Sequence, residues 1–229
     1  MYRIFNKSKI AFTLAEVLIT ILIIGIITSL VIPEIINDTQ NQEYYVLMKK
    51  NFSALSDATK RMILDNGGTF DGFFNNPNDM QNKFGNYLVF TKKCDAYVHG
   101  CFYSGTKAWK NLHGDYGWFD FTDYPTAIMN NGGLIRFALS TSDCSTKYGT
   151  KDPAEHTCGW IDVDVNGFKQ PNVMGRDIFR FWITKSGIYP NGITNDYYSN
   201  RDVFCNKDNS HSYSGRGCAA KVLAGGIVD

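Results

Sequence analysis

Oxygen-bearing side chains at alternate positions mark one short stretch, Asp162-Val163-Asp164-Val165-Asn166-Gly167. The spacing opens a D-x-[DN]-x-[DN]-G loop, in which carboxylate and amide oxygens wrap a hard divalent cation around a glycine turn. A full EF-hand loop needs a bidentate acid at its twelfth position, and that position holds Val173, so an EF-hand proper is excluded. A looser calcium site drawing on Asp164, Asn166, Asn172 and Asp177 stays open beside a plain turn, the preferred reading. In the turn, alternating aspartates on a strand point at solvent, Asn166-Gly167 is a favoured hairpin dipeptide, and Asp177 caps nearby amides.

The second chemistry is that of sulfur. Cys94, Cys101, Cys144, Cys158, Cys205 and Cys218 all follow a long apolar run near the N-terminus. An even count in an exported domain reads as disulfides, and six cysteines allow fifteen pairings. The sequential set, Cys94–Cys101, Cys144–Cys158 and Cys205–Cys218, is expected, because each pair brackets a loop rich in Gly, Asn, Ser or Lys. Zinc is disfavoured, since no Cys-x-x-Cys occurs and the histidines are scattered. His99, His113, His156 and His211 lie in predicted loops without a nucleophile to serve. No G-x-S-x-G, HExxH or P-loop pattern is present, so no enzyme is expected.

The third is a solitary acid in a hydrocarbon setting. Phe12 to Ile32, FTLAEVLITILIIGIITSLVI, carries one ionisable side chain, Glu16. As a helix this run spans roughly 31 Å, about the thickness of a bilayer core. A charge at the centre of such a run costs on the order of 2.5 kcal/mol, so Glu16, even near the interface, asks for a partner. Arg3, Lys7 and Lys9 precede the run and favour the cytoplasm, which sends everything after Pro33 outward. An ordinary secretory signal fits poorly, because the run is too long and no small-x-small site follows it cleanly. A plain signal anchor leaves Glu16 without a purpose.

A short basic leader, Lys9-Ile10-Ala11, then Phe12-Thr13-Leu14-Ala15-Glu16 and a long apolar helix resembles the N-terminal signature of type IV pilins and type II secretion pseudopilins. The resemblance covers about the first fifty residues. It implies a prepilin peptidase that cuts between Ala11 and Phe12 and methylates the new amine, with Ala11 standing where the family usually has glycine. It also implies that Glu16 pairs with the Phe12 amine of a neighbouring subunit in a filament, that an inner-membrane assembly platform is a partner, and that Pro33 is the family's helix-loosening proline. Some pseudopilins hold calcium in a C-terminal loop, but their ligands do not map residue by residue onto this chain. CGWIDVDVNGFKQPNVMGRDIF resembles a segment of many bacterial pilin-like proteins of unassigned role.

These residues must be positioned by a chain of 229 residues with net charge +1, in which no basic patch suggests nucleic acid. Four parts are expected: a leader at 1–11, a transmembrane and filament-core helix at 12–33, an amphipathic continuation at 34–66, and an extracytoplasmic α+β domain at 67–229. In the continuation Tyr45, Met48, Phe52, Leu55, Ala58 or Thr59, and Met62 recur at helical spacing, and Asn66-Gly67-Gly68 ends the helix. Residues 79–92 read as a short helix or a strand before Cys94, and the aromatic, glycine-rich 102–126 as loops closing over the core. Alternating runs at 134–139, 160–165 and 177–184 predict an antiparallel sheet with one covered face, and 214–223 a cystine-tied loop and short helix. The fold class is α+β and pilin-like: a long N-terminal helix on an antiparallel sheet with disulfide-tied loops. The function expected is a filament subunit, of the minor kind, of a type IV pilus or type II secretion pseudopilus; the alternative is a membrane-tethered adhesin or carbohydrate-binding protein that never polymerises.

Overall fold

A computed structural model describes residues 12–193, 196–198 and 200–228. The chain divides after Gln42 into two compact units, Met1–Gln42 and Glu43–Asp229. Helix α1 (Leu14–Asp65) contributes to both.

In the first unit, Leu14–Ile32 is apolar and long enough to cross a membrane, and none of it is buried. Two of its hydroxyls bond back to the helix: Thr20 donates to the Val17 carbonyl at 2.8 Å and Ser29 to that of Ile26 at 2.8 Å. Such back-bonding suits an apolar solvent, where an unpaired polar group costs several kcal/mol, roughly. The helix continues through Pro33.

In the second unit the stripe on α1 meets the core. Tyr45, Met48, Leu55, Ala58, Thr59 and Met62 are buried and Phe52 half-buried, while Lys49, Lys50, Lys60 and Arg61 stay exposed. The helix stops where two glycines take left-handed conformations, Gly67 at φ 75° and Gly68 at φ 99°. The Gly68 N–H closes on the Ile63 carbonyl at 2.7 Å, the six-to-one bond of a Schellman cap.

The sheet has six antiparallel strands in strictly sequential order: β1 (Phe90–Cys94), β2 (Thr126–Met129), β3 (Leu134–Leu139), β4 (Thr157–Asp164), β5 (Ile178–Thr184) and β6 (Gly187–Pro190). Short helices α2 (Pro77–Phe84), α3 (Arg201–Phe204) and α4 (Cys218–Leu223) complete the domain. Residues 79–92 thus supply both of the readings offered for them, a helix and then the start of an edge strand.

The expectation of one covered face is overturned. Ile135, Phe137, Ile161, Val163, Phe179 and Phe181 belong to the core that α1 covers, with Phe52 stacked on Phe181 at 5.4 Å. The opposite face is covered by the aromatic loops, where Phe102, Trp109 and Phe121 pack with Leu134 and Ile178. All seven residues of β5 are buried as a result. Charged residues on that second face are therefore interior groups, and each needs a partner there.

Candidate functional site

Ala11 lies outside the described residues. Phe12 is exposed, and next to it Thr13 and Glu16 form a reciprocal cap on α1. Glu16 Oε2 accepts from the Thr13 N–H at 2.8 Å and hydroxyl at 2.7 Å, and the Glu16 N–H donates to Thr13 Oγ1 at 3.2 Å. This is the capping box that the T-x-x-E spacing encodes. The cap gives Glu16 a partner in its own chain, where the apolar run alone makes it a carboxylate in need of one from another.

Three disulfides join Cys94 to Cys101, Cys144 to Cys158, and Cys205 to Cys218, the sequential set. None of these thiols is left for catalysis or metal. His113 Nδ1 lies 2.7 Å from the Lys207 carbonyl, and His156 has Asp152 at 3.9 Å. Among the described residues no three His, Cys, Asp or Glu side chains gather in one place.

The aspartates of β4 do not point at solvent. Asp162 and Asp164 are wholly buried on the second face of the sheet. The register sets Asp162 opposite both Arg136 of β3 and Arg180 of β5. Arg136 Nη2 lies 2.7 Å from Asp162 Oδ2, and Arg180 Nε 2.6 Å from Oδ1. Burial pushes the Asp162 carboxyl up, but the charges of Arg180 and Arg136 outweigh it and hold the group below its ordinary value. Aromatic faces pad the guanidinium groups: Arg136 sits 4.5 Å from the Phe119 centroid and Arg180 5.1 Å from that of Trp160. Opposite charges at matching positions of RFAL, IDVD and DIFRFW were the available signal for this pocket.

Asp164 closes β4, and the other three candidate oxygen ligands lie in the connection to β5, residues 165–177. This connection is much longer than the tight hairpin that Asn166-Gly167 suggested. Asp164 ends β4, and Asp177 precedes β5 with its carbonyl accepting from Val165 N–H at 2.9 Å. Asp164 Oδ1 accepts from the Asn166 N–H at 3.1 Å and Oδ2 from the Tyr103 hydroxyl at 3.1 Å. Asp177 Oδ2 accepts from the Asn172 N–H at 2.8 Å and Oδ1 from that of Val173 at 2.6 Å. Asp177 does cap local amides, as expected. Tyr103, from the aromatic loops, is a member that sequence spacing did not reveal.

The charge of Arg176, the preceding residue, acts on the Asp177 carboxylate. Burial, and then the charge of Asp177, push Asp164 well above the usual carboxylate range, and burial lifts Asp177 to about 6 against its amide bonds. The amide oxygens of Asn166 and Asn172 are buried and accept no hydrogen bond. The arrangement is oxygen-rich and interior.

No family model, no curated protein and no solved structure matches the chain.

Proposed function

We propose that this chain is a pilin-like structural subunit, of the minor kind, of an extracytoplasmic filament: a type IV pilus or a type II secretion pseudopilus. The carrying observation is the lone carboxylate of Glu16 at the start of an otherwise apolar, unburied helical segment. A prepilin peptidase cuts after Ala11 and frees the amine of Phe12. Leu14–Ile32 holds the precursor in the bacterial inner membrane and then packs against the same segment of other subunits. In that apolar bundle Glu16 satisfies the Phe12 amine of the next copy, and misregistered packing leaves both unpaired. The disulfide-tied domain beyond Glu43 is displayed outside.

The cap formed with Thr13 gives Glu16 a duty within its own chain, so the test separates the two. Glu16→Gln keeps an oxygen acceptor for the cap and removes the charge. In a shear-fraction assay of filaments, both Glu16→Ala and Glu16→Gln are expected to reduce incorporation by about tenfold or more while leaving membrane insertion intact. Wild-type incorporation of Glu16→Gln overturns the pairing. The exposed rings of Tyr116 and Trp118 favour a second reading, a tethered adhesin or carbohydrate-binding protein. Mass spectrometry of the N-terminus discriminates, a methylated Phe12 marking the filament subunit and an intact Met1 the static tether.

A further inference from the structure

Three buried arginines, Arg136, Arg180 and Arg216, lie within the field of one carboxylate, that of Asp162. Asp162 spends its two oxygens on Arg136 and Arg180. Arg216, just before α4, is 8% exposed, and among the described residues no carboxylate comes within ion-pair distance of it. Burial and the like charge of Arg180 act against its positive form, and Asp162 supports that form only at a distance. Two further donors of this layer, Arg136 Nε and Trp160 Nε1, are sealed from solvent without an acceptor. Buried polar groups are nearly always answered, and a lone buried cation is the costliest to leave unanswered.

What covers Arg216 is aromatic. Its Cζ lies 4.0 Å from the Tyr213 ring centroid and 5.5 Å from that of Trp118. Those two rings stand 6.0 Å apart, tilted by 48°. Trp118 is 53% exposed, and Tyr198, 5.4 Å beyond Tyr213, is exposed as well. A guanidinium held over ring faces keeps its N–H fork, which lies in its own plane, available to a planar acceptor. The surface here is therefore a set of open rings with a cation set just beneath them.

We propose that Arg216, with the rings of Trp118 and Tyr213, binds an acidic sugar, a uronic acid unit of a polysaccharide. The fork takes both oxygens of the sugar carboxylate, and an exposed ring takes the apolar C–H face of the pyranose. One interior cation matches one charge per sugar unit. A nucleic acid also stacks on aromatic rings, but it asks for a run of surface lysines and arginines that a chain of net charge +1 with no basic patch does not supply. The site gives the carbohydrate-binding reading its ligand class and rests on the exposed rings of that reading. It is independent of the Glu16 pairing and of whether the chain polymerises.

The test titrates the full disulfide-bonded chain in detergent with a galacturonate oligosaccharide, and with the same oligosaccharide after its carboxyls are reduced to alcohols. Calorimetry is expected to show saturable binding of the acidic form and about tenfold or more weaker binding of the reduced one. Arg216→Gln should remove that preference, and Arg216→Lys, which keeps the charge and loses the fork, should restore part of it. Trp118→Ala, a surface change that leaves the interior intact, should weaken both forms together. Equal affinity for the two forms overturns the proposal while leaving a neutral carbohydrate-binding protein standing. Failure to bind the acidic form overturns it too, as does an acidic preference that survives Arg216→Gln or tighter binding of a single-stranded oligonucleotide.

Discussion

Arg180 grips Asp162 with two hydrogen bonds across neighbouring strands, Nε to Oδ1 at 2.6 Å and Nη2 to Oδ2 at 3.0 Å, and both side chains are buried. Arg136 joins them from the other side. Asp162→Asn removes the one charge that answers two interior guanidinium groups, which should cost about 3–5 kcal/mol in a urea melt. Asp162→Leu combined with Arg136→Met and Arg180→Met should recover part of that loss, because it removes the three ion-paired charges together while Arg216, buried within reach of their field, remains. A single variant as stable as the wild type would show that the pocket is open to water.

Asp120 gives the pH dependence of the aromatic layer. Burial raises its carboxyl, but hydrogen bonds from the Thr122 and Gly105 N–H groups, with the Thr122 and Ser104 hydroxyls, more than reverse this and set it below the ordinary value. A depressed folded pKa gives stability that is complete above the unfolded value, near 3.9, and is lost as pH falls toward the folded one. The difference in unfolding free energy between wild type and Asp120→Asn should be about 1–2 kcal/mol at pH 7 and shrink below pH 4, roughly. Denaturant melts at pH 7, 4 and 3 measure it; a difference that does not change with pH contradicts the assignment.

Tyr45 ties α1 to the backbone of Val228. Its hydroxyl donates to the Val228 carbonyl at 3.2 Å and accepts from the Val228 N–H at 3.0 Å, in a buried setting. Tyr45→Phe leaves two backbone groups unanswered, a loss of about 1–3 kcal/mol. Hydrogen exchange should locate the effect: amides of α4 and the tail lose protection first, while β3 and β4 keep theirs.

The disulfides should rank by the loops they close. Cys144–Cys158 and Cys205–Cys218 span 14 and 13 residues, Cys94–Cys101 only 7. Loop-closure entropy gives about 3 kcal/mol for the longer pair and roughly 2.5 for the short one. Paired Cys→Ser variants, compared by thermal unfolding, should follow that order, and a larger loss at Cys94–Cys101 would point to native-state contacts instead.

Much of this architecture was legible because hydrophobic period and burial agree. The stripe from Tyr45 to Met62, the glycine stop after Asp65, strands β3 and β5, and the cystine pairs all follow local rules. The edges were not legible. β1 reads FTKKC with three consecutive exposed residues, and β6 ends in Pro190, so neither shows alternation. The second face misled for a different reason. A strand bearing Asp162 and Asp164 looks half-solvated unless the aromatic segment from Phe102 to Phe121 is known to fold over it, and that contact is set by tertiary packing. Gly159 shows the same limit: a Cβ there would sit 2.0 Å from the Ala138 carbonyl oxygen, a constraint no neighbouring residue announces.

Because every strand pairs with the one made just before it, the sheet asks little of chain ends that have not yet been synthesised. Five hairpin-like additions can proceed in the order of translation, each stabilised by its predecessor. What must wait is the tail, since Val228 returns to a tyrosine laid down 183 residues earlier. Until Val228 is in place, the sheet can form while the Tyr45 hydroxyl stays unlatched and α4 lacks that tie to α1.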